Sequence, residues 1–328
     1  MYMKIERGIT TNYSSTMSGF RWLLLWACFM PGLVNAQQKT SFKFTDGASE
    51  NLRMTMQQNA KAVFDVINDS YYSKKNGLQL SQNNVTKEAM DRIQALWSTS
   101  GFYCTKTDVQ QSVLEMPNGN WQVRNIPVFF VQGETNEDKN QDIVIEFTST
   151  GIINDIYIAI PFHQYENIRN KGVNVTDIRR RQLILEFVEN FRTAYNRKDI
   201  EYLNQVFSKD ALIITGKVLA ARGDGYPLVE KKVQNKVQYM ENLKRAFANN
   251  KYINIKFSDI EVTQPYEKDY VYCVRLVQDW NSSNYSDKGY IFLIIDFRNE
   301  NEPQIWVRAW DPYNTPKRDV TYEGDFVI

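Results

Sequence analysis

The chain has 328 residues, 43% of them hydrophobic, and its 39 basic and 38 acidic side chains give a formal net charge of +1. This near balance offers no electrostatic footprint for nucleic acid or for an anionic membrane surface. The single histidine, His163, argues against Ser-His-Asp catalysis, histidine-ligated zinc and haem ligation.

The N-terminal region has the pattern of a secretory signal peptide. Arg21 precedes an apolar run, residues 22–30, which is too short for a membrane span because a span needs about 20 apolar residues. The run leads to Val34 and Ala36, whose size suits signal peptidase. We therefore expect cleavage between Ala36 and Gln37.

Two further expectations concern the same region. Met17 is the expected start, because residues 17–21 form a normal short n-region and residues 1–16 form an overlong leader. Residues 25–28 offer a lipobox ending at Cys28 as an alternative, which bulky Trp26 disfavours. Both alternatives, cleavage after Ala36 and lipidation at Cys28, predict export to the periplasm, the cell envelope or the exterior.

The rest of the chain predicts neither a membrane span nor a disulfide framework. No later apolar stretch approaches spanning length, so no integral membrane segment is expected after cleavage. Cys104 and Cys273 fall in different predicted domains. Two buried free thiols are favoured over an inter-domain disulfide.

The first half, residues 49–161, reads as two helices followed by strands. A helix is predicted over residues 50–72, and Thr86 is the expected N-cap of a second helix. Asn118-Gly119 is the strongest hairpin signal in the chain. The predicted strands are 102–106, 109–116, 121–131, 142–148 and 153–160.

Residues 162–176 are predicted to be a linker, and residues 177–312 repeat the order of the first half. A long amphipathic helix starts near Arg179, a short one follows Asp199, and a buried strand follows Ala211. The remaining predicted elements are a mobile rim loop over 222–226, a solvated helix start at Lys231-Lys232, a helix over 233–249, strands over 252–262, 270–280, 289–297 and 304–310, and a tail over 313–328. In the strand over 252–262 the apolar residues change phase, which predicts a β-bulge.

Helices followed by a strongly bent antiparallel sheet resemble the nuclear-transport-factor-2-like cone, also called the cystatin-like α+β roll, of the SnoaL-like superfamily. The resemblance is clearest at residues 190–200 (NFRTAYNRKDI) and 206–214 (VFSKDALII), and it is weaker over 49–161. It implies an α+β fold of two tandem cones. The whole chain also resembles secreted tandem proteins of this kind from Bacteroidetes-type bacteria.

The same resemblance provides a catalytic test. Aligned with ketosteroid isomerases of the family, the general-base carboxylate falls at Thr215, the oxyanion tyrosine at Phe191 and the second acid near Leu293. None of these residue types is retained. A proton-shuttling isomerase needs a carboxylate base and an oxyanion donor, so ketosteroid-type chemistry is not expected.

A possible binding surface lies on the last strands of the second cone. Strand alternation predicts that Trp306, Arg308 and Trp310 share one face, where an arginine between two indoles could bind a carboxylate, a phosphate or a sugar. If Arg308 is structural instead, its counter-ion is expected to be Asp279 or Asp296. The full predicted ligand-binding set is Arg275, Asp279, Trp280, Asp296, Trp306, Arg308 and Trp310.

Two classes of function remain from the sequence. The favoured one is a non-enzymatic binding or scaffold module for a protein, a glycan or a small ligand, with a possible homodimer through a convex sheet. The alternative is a hydrolase or cyclase that uses carboxylates of the second cone, such as Asp279 and Asp296. No cofactor and no metal are predicted.

Overall fold

In a computed structural model, the chain is described over residues 39–133, 135–171, 175, 177–221, 227–265, 268–316 and 319–326. The predicted signal peptide, the Met17 start, the lipobox at Cys28 and the 222–226 loop lie outside these residues. Gln37–Ile328 form one compact unit, which is the part described below.

The first half is a curved sheet with helices packed against it. The strands are β1 (Ser41–Thr45), β2 (Phe102–Cys104), β3 (Asp108–Glu115), β4 (Trp121–Phe130), β5 (Asn140–Phe147) and β6 (Ile153–Ile158). The helices are α1 (Glu50–Tyr72), α2 (Lys87–Thr99) and α3 (Asn136–Lys139). The sheet order is β1-β3-β4-β5-β6, with β2 paired to β4, and only the β1–β3 pair is parallel.

Local sequence signals explain these elements. Ser49 and Thr86 cap the starts of α1 and α2 by accepting hydrogen bonds from the backbone N–H groups of Leu52 and Ala89, three residues further on. Gly119 adopts a φ of 82° in the turn between β3 and β4, which glycine tolerates without strain. The apolar side chains of α1 and α2 meet those of the sheet in one buried cluster.

The second half repeats the design with longer strands. Its helices are α5 (Ile178–Arg197), α6 (Ile200–Val206) and α7 (Lys236–Asn249), and α4 (Phe162–Lys171) precedes them. The strands are β7 (Phe207–Ala221), β8 (Pro227–Gln234), β9 (Ile253–Thr263), β10 (Val271–Ser282), β11 (Ser286–Asp296) and β12 (Gln304–Pro312). Their order is β8-β7-β12-β11-β10-β9, antiparallel except for β12–β7.

Helix α5 lies between the two sheets. One face places Phe187, Phe191 and Tyr195 in the core of the second cone. The other face carries Glu189 and Arg197, which bond to residues of the first sheet. The helix is therefore buried on both sides, and the two halves share it as a common layer.

Bulges bend the second sheet. In β9, Asp259 has a φ of 49°, and the register against β10 shifts between Arg275 and Val277, which confirms the predicted bulge. In β12 the register shifts between Ile305 and Val307, so Trp306 is an extra residue. Each bulge changes which side chains face the cone interior.

The α+β class with two tandem cones is confirmed, while several details differ from expectation. Lys231 and Lys232 lie in β8 and do not start a helix. The predicted linker contains α4, and strand β1 was not predicted. Cys104 and Cys273 are both buried and are not joined by a disulfide, as favoured. Among the described residues, no helix is long and apolar enough to cross a membrane.

Candidate functional site

The seven predicted site residues do not form one site. Trp280, Arg308 and Trp310 face the interior of the second cone, whereas Arg275 and Asp279 lie on the outer face of the same sheet. Asp296 and Trp306 lie elsewhere on that outer face. The predicted set is therefore divided among three places.

The three residues that face the cone interior, Trp280, Arg308 and Trp310, surround two hydrogen-bonded tyrosines. The hydroxyls of Tyr195 and Tyr239 are 2.7 Å apart, and the guanidinium of Arg308 lies 5.4 Å from the centre of the Tyr239 ring. Trp280 packs edge-on against Tyr195 at 6.0 Å. This arrangement buries a cation among aromatic rings, where the ring faces partly replace its hydration.

The expectation that Trp306 shares the face of Arg308 and Trp310 was wrong. Because Trp306 is the bulged residue, it packs against the outer apolar cluster, with Arg298 at 5.3 Å from its ring. Trp310 remains inside, in a slot between Gly216 and Gly289. A Cβ on Gly289 would stand 2.4 Å from the indole nitrogen of Trp310, so the slot requires glycine there.

The predicted counter-ions of Arg308 were also wrong. Asp279 and Asp296 lie on the outer face of the sheet, and Asp296 is bonded to Arg298 at 2.7 Å. The carboxylate that acts on Arg308 is Asp287, which pairs with Trp280 across β10 and β11 and shares its inner face.

Asp279 and Asp296 are also too far apart to act on one substrate. Val271 pairs with Asp296 and lies eight residues before Asp279 on β10. At about 3.4 Å per residue, the two carboxylates are separated by roughly 25 Å along the sheet.

Two recesses lie beside the second sheet. The smaller, of about 600 Å³, contains Arg275, which faces Glu261 at 3.7 Å, and the exposed His163. The larger, of about 700 Å³, lies between the two cones, and we call it the inter-sheet recess. It is lined by Thr135, Glu137, Asp138, Asn140, Gln141, Asp142, Ala159, Ile160, Pro161, Arg192, Lys256, Phe257, Ser258, Asp279, Asn281, Ser286, Asp287 and Lys288.

Carboxylates dominate the chemistry of the inter-sheet recess. Burial raises the pKa of the Asp142 carboxyl above its ordinary value. Burial also raises the pKa of Asp287, against the opposing effects of the Tyr285 hydroxyl and of Arg308. Asp138 differs: despite burial, its ion pair with Lys256 lowers its pKa.

Buried polar atoms without a hydrogen-bond partner cluster at the same end of the sheet. Within the described part of the chain they include Trp280 Nε1, Asn281 Oδ1, Asp287 Oδ1, Arg308 Nε and Trp310 Nε1. Asn281 and Asp287 line the inter-sheet recess directly. Buried polar groups normally have partners, so these unpaired atoms are the ones available to a polar ligand at this end of the sheet.

The polar contact between the cones was not predicted from the sequence. Arg124 of the first sheet donates to Glu189 of α5 at 3.0 and 2.5 Å and stacks over Tyr165 at 3.6 Å. Arg197 donates to Asp155, and Arg192 donates to the backbone carbonyls of Ile255 (2.6 Å) and Ala159 (2.8 Å). These bonds hold both walls of the inter-sheet recess in place.

No protein-family model and no curated protein matches the chain. Among solved structures, it is similar to Bd1075 of Bdellovibrio bacteriovorus at 14% identity, with 63% of this chain and 76% of that chain covered and a TM-score of 0.33. An NTF2-like protein of Cytophaga hutchinsonii is 12% identical, with coverages of 40% and 97% and a TM-score of 0.31. An NTF2-like family protein of Streptomyces avermitilis is 14% identical, with coverages of 38% and 90% and a TM-score of 0.29. At such low sequence identities and TM-scores, these similarities carry no information about the ligand or the activity of this chain.

Proposed function

We propose that this protein is an exported, non-enzymatic binding module that holds a small polar ligand in the inter-sheet recess. The observation that carries the proposal is that a recess of about 700 Å³ coincides with buried polar atoms lacking partners. Small-molecule sites are clefts of about 300–1,000 Å³ in which a few polar groups fix the orientation of the ligand.

The walls of the recess favour binding because they are already fixed. Gln141 accepts a hydrogen bond from Arg192, which also bonds to Ile255 and Ala159, so α5 joins both sheets beside the recess. Lys256 of β9 pairs with Asp138 of α3 across the same gap. A preformed site costs a ligand little ordering of side chains, which preserves affinity.

The carboxylate-dependent hydrolase or cyclase has no comparable support. General acid–base chemistry needs groups within hydrogen-bond reach of the same reacting atoms. Asp279 and Asp296 lie at opposite ends of the antiparallel β10–β11 ladder. His163 lines the other recess.

A fragment screen tests the binding site. We expect some polar fragments to shift the NMR signal of the Asn281 side-chain amide, while the indole of Trp121, in the first cone, serves as the internal control. Ser258→Trp, which fills the recess, should abolish this shift. If no fragment of any charge moves the Asn281 signal, the recess is not a ligand site.

Export is tested separately. N-terminal sequencing of the protein recovered from the periplasm or the medium should begin at Gln37. An acylated Cys28 would show instead that the lipoprotein alternative is correct, and retention in the cytoplasm with residues 17–36 intact would contradict export.

A further inference from the structure

The inter-sheet recess has an excess of negative charge. Its lining includes five carboxylates, those of Glu137, Asp138, Asp142, Asp279 and Asp287. Against these stand three cations, on Arg192, Lys256 and Lys288, so the formal charge is 3 − 5 = −2. The net negative charge of the lining favours a cationic ligand.

The three cations of the lining are already engaged. Arg192 donates to two backbone carbonyls and to Gln141. Lys256 is paired with Asp138, and the ammonium of Lys288 lies 4.6 Å from the centre of the Tyr313 ring. Lys288 is the cross-strand neighbour of Asp279, but its ammonium lies over Tyr313 and forms no ion pair with that carboxylate.

Two oxygen acceptors beside the recess, in contrast, are buried without partners, and two further carboxylates line it. Within the described residues, Oδ1 of Asp287 has no hydrogen-bond partner, and the half-buried side chains of Asp142 and Asp279 line the recess. Oδ1 of Asn281 is also buried without a partner, in a side chain that lines the recess and belongs to a residue only 7% exposed. Carboxylate and amide oxygens accept hydrogen bonds, so the complementary ligand must donate.

The placement of these acceptors points to an organic ligand. Among the described residues, no group of three or more His, Cys, Asp or Glu side chains is arranged to hold a metal ion. Asp142 comes from β5, whereas Asp279 and Asp287 come from β10 and β11, so the acceptors stand on opposite walls. A linear ligand with amine groups at separate positions can reach both walls.

We propose that the inter-sheet recess binds a small organic polycation whose amine groups donate to Asp142, Asp279, Asn281 and Asp287. This inference rests on the proposed function and gives its ligand a chemical class. The raised pKa values of Asp142 and Asp287 agree with it, because a bound ammonium would restore the charged form of both carboxyls.

The experiment is isothermal titration calorimetry of the purified chain with spermidine at pH 7.5 and low salt. Neutral 1,8-octanediol and anionic suberate, of similar length, serve as ligand controls. We expect binding of spermidine alone, with an affinity that falls as salt is raised.

Two variants locate the binding, and one controls for net charge. Asp142→Asn and Asp279→Asn each keep the size of the side chain and remove one charge, so each should weaken spermidine binding by about tenfold or more, the equivalent of 1.4 kcal/mol. Asp210→Asn removes an equal charge from a side chain that is 81% exposed and outside the recess, and should leave binding unchanged. Unfolding midpoints in urea confirm that each variant is folded.

The outcomes distinguish this inference from the proposed function. If suberate or octanediol shifts the Asn281 signal and spermidine does not, the recess binds ligands but the cationic class is wrong. Spermidine binding that is equal in all three variants places the polycation elsewhere and overturns the inference. If none of the three compounds binds, the inference also fails, and the fragment screen then decides the proposed function on its own.

Discussion

The pair between Arg124 and Glu189 should tolerate the loss of both charges better than the loss of one. The two side chains are 4% and 0% exposed and are joined by two hydrogen bonds. In Arg124→Ala, the Glu189 carboxylate keeps the hydrogen bond from the Ile160 N–H at 2.8 Å but remains buried near Glu186. Removing one partner of a buried ion pair costs about 3–5 kcal/mol, and we expect a loss of stability in that range.

Equilibrium unfolding in urea, followed by circular dichroism, measures the effect. The double variant Arg124→Met with Glu189→Leu removes both charges and should lose less than about 2 kcal/mol. Arg179→Ala is the surface control: its pair with Glu300 is 49% and 26% exposed, and its loss should stay within about 1 kcal/mol. A loss below about 1 kcal/mol in Arg124→Ala, or a double variant as unstable as the single one, would refute this reasoning.

Three further predictions concern other buried groups. Burial beside Glu146 and Glu189 raises the pKa of Glu186 to about 8, above its ordinary value of 4.5. The folded state therefore binds more protons than the unfolded state between these values, so stability should fall as pH rises from about 4.5 to 8. Urea midpoints across that range should slope less in Glu186→Gln, and equal slopes would contradict the assignment. Gly289→Ala places a Cβ 2.6 Å from the carbonyl oxygen of Asp311, which a side-chain rotation cannot relieve. It should cost about 1–3 kcal/mol and alter tryptophan fluorescence, and an unchanged melting curve would argue against the slot. Arg308→Ala removes the cation from Tyr239 and leaves Asp287 without its charge partner, so a thermal melt should show destabilisation of about 2–4 kcal/mol. Arg308→Lys should recover part of it, and a variant as stable as wild type would show that Arg308 has no structural role.

The elements that the sequence predicts well depend on neighbours along the chain. Helix α1 spans Glu50–Tyr72 as expected, because its periodicity and its Ser49 cap are local signals. The face of Trp306 could not be predicted, since one extra residue in β12 reverses the alternation after it. The bulge in β9 could be predicted from the sequence only because the apolar residues of that strand change phase within it.

The candidate site depends on contacts that leave no local pattern. Asp142, Asp279 and Asp287 come from three strands of two different sheets. Asp142 and Asp287 read in sequence as ordinary polar positions on strands, and Asp279, though predicted as a site residue, was grouped with the wrong neighbours. Glu189 and Arg192 were equally ambiguous, because the polar face of an amphipathic helix looks the same whether it meets water or a charged surface of another sheet.

The shared position of α5 affects how the chain acquires its structure during synthesis. The first sheet is complete at Ile158, but the residues that cover its outer face, Ile178–Arg197, emerge later. Until then Arg124 and Asp155 face water. The waiting surface combines these charged groups with the apolar cluster of Val144, Tyr157 and Ala159, so a partly synthesised chain exposes both hydrated and apolar groups until α5 covers them.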